Sequence, residues 1–82
     1  MMKELREMSQ KMNALNAKIK ALKDEREAYI TEKRDVLTKG NDGIELSHIA
    51  SQIESVDSKL EYETTKNKLM FNHYQEILKH SL

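Results

Sequence analysis

The chain has no cysteine, no proline, no tryptophan and only two glycines, and its formal net charge is zero. Without cysteine there are no disulfides and no thiolate metal ligands. Without proline, nothing breaks a long helix from within. The balance of 14 basic against 14 acidic side chains argues against nucleic acid as a partner, since a polyanion binder is normally clearly basic. No apolar run approaches the roughly 18 residues of a membrane span. The first ten residues, MMKELREMSQ, lack the apolar stretch of a signal peptide. The expectation is a soluble, cytoplasmic protein with no membrane partner.

What the chain does have is a pair of seven-residue hydrophobic repeats. The first runs Leu5, Met8, Met12, Leu15, Ile19, Leu22, position 26, Tyr29, position 33, Val36. The second runs Leu46, Ile49, Ile53, Val56, Leu60, position 63, position 67, Met70, Tyr74, Ile77. Steps of three and four alternate without a break, which keeps one stripe of each helix turned toward a neighbour. The predicted fold is all-α. A two-helix antiparallel coiled-coil hairpin fills a single domain over residues 1–82, with helices at 2–38 and 43–80 and a turn at 39–43.

The turn is Lys39-Gly40-Asn41-Asp42-Gly43. Gly40 suits the left-handed position that ends many helices. Asp42 with Glu45 three residues later has the spacing of a capping box. Glu7 with Lys11, and Asp35 with Lys39, have the favourable four-residue order of opposite charges. Residues 1–39 carry ten basic and seven acidic side chains, and residues 40–82 carry four and seven. The halves therefore attract, though each exposed ion pair contributes little.

Folding back about the turn pairs positions whose numbers sum to 82 or 83. Val36 then meets Leu46, Leu22 meets Leu60, and Leu5 meets Ile77. Four seam positions are polar: Arg26, Lys33, Glu63 and Asn67. Their stems are expected to cover the seam while their heads reach water. The competing reading is that they set register and helix number. Arg26 is within reach of Asp57, and Glu63 of Lys20.

A lone hairpin leaves each seam residue half exposed, so further apolar surface calls for a neighbour. Ala14, Ala21 and Ala28 recur at one outer position, and Ile30 and Leu37 stand beside the seam. Tyr62 and Leu69 share one flank of the second helix, and Phe71 and Leu78 share the other. An apolar arc this wide implies contact with more than one helix. A homodimeric four-helix bundle covers it most simply, and a different protein is the alternative occupant. The expected contact residues are Met8, Leu69, Phe71, Tyr74 and Leu78, near the adaptable methionines of the paired termini.

No catalytic frame, cofactor loop or metal site is expected. His73 and His80 are two helical turns apart, about 10 Å along the axis, which is too far to share one ion. Glu45-Leu46-Ser47-His48 has the Glu-x-x-His form of a di-iron ligand pair, but only one copy is present and a di-iron bundle needs two. A rod offers no enclosed pocket for a substrate. The functional expectation is a non-enzymatic protein-interaction module: a small adaptor, assembly chaperone or inhibitor. Its size and Lys-, Asn- and Ile-rich composition fit a phage or bacterial source. Two other classes compete. One is a homodimeric RNA- or DNA-binding bundle, drawing on the net +4 of the first 23 residues. The other is a structural coiled-coil spacer.

Overall fold

A computed structural model describes residues 2–40 and 43–81. Two helices, α1 (Met2–Thr38) and α2 (Gly43–Ser81), lie side by side and antiparallel. The hairpin measures 61 × 14 × 13 Å over its Cα atoms. Helix bounds fall where the repeats place them, with α2 one residue longer than expected. Glu4 stands in the first turn of α1 and Glu45 in the first turn of α2, while Lys79 and His80 close α2. Each charge suits the dipole at its end.

The close of α1 is built locally. The Thr38 hydroxyl donates to the carbonyl of Arg34 at 2.9 Å, and the Lys39 amide donates to that of Asp35 at 3.0 Å. Gly40 then takes a φ of +90°, a conformation open to glycine at little cost. The Asp42 cap lies outside the described residues. Among the described residues, Lys20 and Asp24 form a four-spaced ion pair at 3.3 Å, and His80 Nε2 lies 3.6 Å from the Glu76 carboxylate. The expected Glu7–Lys11 and Asp35–Lys39 pairs do not form.

The seam is lopsided. We label its two heptad positions a (5, 12, 19, 26, 33 in α1; 46, 53, 60, 67, 74 in α2) and d (8, 15, 22, 29, 36; 49, 56, 63, 70, 77). All the buried residues are at d: Met8, Leu15, Leu22, Val36, Ile49, Val56 and Glu63. The a residues Leu5, Met12, Ile19, Leu46, Ile53 and Leu60 are only half-buried. At 100° per residue, position e flanks a and position g flanks d. In an antiparallel pair, both a/e flanks share one side of the hairpin, and both d/g flanks share the other.

The residues at g explain the difference. In α1 they are Glu4, Lys11, Lys18, Glu25, Glu32 and Lys39, all with stems long enough to lie over a neighbouring apolar side chain. Grooves on that side show the arrangement: Lys18 and Lys59 flank Leu22 and Glu63, and Lys11 and Lys66 flank Leu15 and Met70. On the other side, Lys23 and Asp57 are the charged e residues, and the remaining e positions are short or apolar, among them Ser9, Ile30, Leu37, Ala50 and Thr64. They leave the a layer open.

Among the described residues, polar side chains of Arg26, Asn67 and Lys18 make contacts across the seam. Arg26 donates to both oxygens of Asp57, at 2.5 and 3.5 Å. Asn67 Nδ2 donates to Asn16 Oδ1 at 2.9 Å. Lys18 Nζ meets Glu63 Oε1 at 2.9 Å. The Arg26–Asp57 pair forms as expected. The expected Lys20–Glu63 pair does not. Glu63 is at d and opens toward the g flank, where Lys18 stands; Lys20 is on the far side of α1 and turns to Asp24.

The expectation that all four polar seam heads reach water also needs correction. Glu63 is 5% exposed, and its Oε2 has no hydrogen-bond partner. Asn67 Oδ1 is buried and unpartnered in the same way. Only Lys33 is fully on the surface.

Candidate protein-binding face

The a/e side is a strip of half-exposed side chains along both helices. At its terminal end, Met2, Leu5, Tyr74 and Leu78 line one groove together with Arg6, Ser9 and Gln10. Phe71 stands beside them, 49% exposed. Ile30 and Leu37 extend the strip toward the turn, Ile30 half-buried and Leu37 exposed. Between the two apolar ends lie the polar contacts Asn16–Asn67 and Arg26–Asp57. Asp57 raises the Arg26 pKa above its ordinary value, first through the hydrogen bond and then through its charge.

Of the five expected contact residues, the structure brings three to this face: Phe71, Tyr74 and Leu78. Met8 is 9% exposed and packs into the d layer. It borders a different groove with Glu4, Glu7, Lys11, Met70 and His73. As a core side chain it is not available to a partner. Leu69 is 64% exposed but sits at heptad position c, on the opposite flank of α2 beside Tyr62. The Lys66 ammonium lies 6.0 Å from the Tyr62 ring centroid, the outer limit of a cation–π contact.

Sequence reasoning missed the sidedness of the surface. The signal was available in the contrast between the g positions of α1, all charged, and its e positions, where only Lys23 is charged.

Tyr29 is the remaining perturbed group. Burial, then its hydrogen bond to Glu25 at 3.3 Å, raises its phenol pKa above the ordinary 10.0. Among the described residues, no three of His, Asp and Glu stand close enough to hold a metal ion. No helix among them is long and apolar enough to cross a membrane. Comparison with protein-family models, curated proteins and solved structures finds no match.

Proposed function

We propose that the chain is a non-enzymatic protein-interaction module, a cytoplasmic adaptor, assembly chaperone or inhibitor that works by helix-to-helix packing. One observation carries this reading: the a/e strip is apolar at both ends, half-exposed along its length and uncovered by the hairpin itself. An amphipathic helix or a helix pair laid along the strip would bury Leu5, Phe71, Tyr74 and Leu78 in the way helix-in-groove recognition does. Away from the strip, Tyr62 and Leu69 are exposed on the opposite flank and Ile44 near the turn, within a surface otherwise charged and mixed in sign.

The test is capture of bound protein by the wild-type chain and by Phe71→Glu, with helix content checked by circular dichroism. Phe71 is half-exposed, so the charge leaves the hairpin folded and removes an apolar anchor from the face. The reading expects a bound protein, the chain's own copy or another, that Phe71→Glu loses. Equal capture by a folded Phe71→Glu variant rules it out and leaves a structural spacer.

A further inference from the structure

We infer that the occupant of the a/e face is a second copy of this chain, docked about a two-fold axis parallel to the long axis of the hairpin, with both turns at one end of a four-helix bundle. This rests on the a/e strip being a protein-binding face, and it names what covers it.

Area is the first support. One whole flank of the hairpin, 61 × 14 Å over its Cα atoms, has an outline of about 850 Å², so a second copy covering its full length has room for a standard interface of about 800 Å² per partner.

Charge is the second, and it selects the axis. Beside the strip, α1 presents Arg6, Lys20, Lys23 and Arg34 against one acid, Glu27. Along the same edge α2 presents Glu54, Asp57 and Glu61 against one base, Lys68. A two-fold parallel to the rod sets α1 of each copy against α2 of the other. Basic edge then meets acidic edge, with Lys20 level with Glu61. Glu27 shares a level with Glu54, but the sum over the edge stays attractive. The other two-fold that apposes the strips puts the turns at opposite ends. It lays α1 against α1, which brings Arg6 near Arg34 and Lys20 near its own copy.

Hydrogen-bond inventory is the third. Asn67 Oδ1 accepts from nothing, and among the described residues Asn16 Nδ2 donates to nothing. Both residues lie on the a/e side at one level of the hairpin. The proposed axis places each pair across from its own copy, so Asn16 of one chain comes level with Asn67 of the other. Asn67 Oδ1 is shut off from solvent in the single hairpin, so the Asn67 amide must rotate about its broad terminal torsion to present that oxygen and close a ring of four amides. Each then donates once and accepts once within it. The same axis brings Arg26 level with Asp57 of the second copy, which makes a four-membered charge cluster from two pairs.

The lack of native cysteine allows a clean test. Lys39→Cys, exposed just beyond α1, takes a spin label, and pulsed dipolar spectroscopy measures the distance between copies. Light scattering on the same sample reads the mass. The proposal expects twice the 9.6 kDa protomer mass and a label separation of roughly 20–35 Å, set by the ~14 Å diagonal between the two α1 helices of a bundle with neighbours about 10 Å apart, plus two label arms. A separation near the 61 Å hairpin length means opposed turns and overturns the axis. A mass of one protomer at every concentration overturns the second copy. In that case, capture of another protein that Phe71→Glu abolishes would leave the interaction reading standing.

The variant carrying both Asn16→Asp and Asn67→Asp places four carboxylates in the ring and should weaken the dimer by about tenfold or more. An unchanged dimer affinity overturns the ring. The label experiment on the otherwise native chain decides the axis even if that variant fails to fold.

Discussion

Replacing Glu63 with leucine should make the hairpin more stable. Glu63 occupies a d position at 5% exposure, level with Ile19 and beside Leu22. Its Oε1 has Lys18 at 2.9 Å, and its Oε2 has nothing. A buried acceptor left without a partner costs about 1–3 kcal/mol. A leucine there would also contribute apolar burial of about 1.5–2 kcal/mol. Against this, the lost ion pair is small. The Lys18 side chain is 62% exposed, and pairs open to water contribute about 0–1 kcal/mol. The net expectation is a gain of about 2 kcal/mol. For a domain of this size that raises the melting temperature by roughly 8 °C or more. The assay is thermal and urea unfolding followed by helical circular dichroism, with protein concentration held fixed because association shifts apparent stability. Lys18→Met, which leaves the carboxylate in place and removes its cation, should melt lower than the wild type. The reasoning is refuted if Glu63→Leu melts at or below the wild type. The second oxygen would then be satisfied in solution, and the carboxylate would not be the weak point of the seam.

Gly40→Ala should lower stability by about 1 kcal/mol, because a Cβ is strained at positive φ. Nothing lies within 4 Å for that Cβ to strike, so the loss is conformational, and Gly40→Asn should recover part of it in the same thermal melt. Ultraviolet titration of the tyrosines should show the Tyr29 phenol ionising above pH 10.0, with Glu25→Gln moving it partway back. Since its folded pKa lies above its unfolded one, this group's share of stability is complete below pH 10 and is lost as pH rises through the folded value. Tyr29→Phe should remove that part of the alkaline loss, and an identical pH profile would dismiss the linkage. A double-mutant cycle with Arg26→Met and Asp57→Asn should be non-additive in urea midpoint, and strict additivity would show that the bidentate contact contributes nothing in solution.

The elements and their pairing were legible in the sequence because a heptad pattern reports the spacing of a helix stripe directly. Proline is absent, Gly40 marks the stop, and opposite halves carry opposite charge. The structure matches all of this to within a residue at the helix ends. The Arg26–Asp57 contact was also readable, since it depends only on axial level. What the pattern did not reveal was direction around the helix. Met8 and Phe71 look equivalent as apolar residues near the termini, yet one turns into the d layer and the other onto the open side. Lys18 and Lys20 are both near the level of Glu63, and only the g flank of α1 faces a d carboxylate. Resolving either case needs the wheel position of every flanking charge, weighed over both helices together.

The polar seam residues act on register more than on stability. Arg26–Asp57, Asn16–Asn67 and Lys18–Glu63 all lie in the middle of the hairpin, several turns from the loop. A seam of uniform leucines would tolerate a slip of one heptad, because every apolar layer would find another. The native polar set does not. Shifting α2 by seven residues sets Arg26 against Ala50 or Thr64, Asn67 against Ser9 or Lys23, and Glu63 against Lys11 or Glu25. Of those six displaced pairings, only Glu63 with Lys11 restores an opposite charge. The short loop already limits slip within one chain. In the proposed dimer no loop joins the two copies, and their axial position would rest on the residues facing the open side. Two of the three polar contacts, Arg26–Asp57 and Asn16–Asn67, are on that side. In the dimer proposed above, that placement would let the same residues align one hairpin on the other.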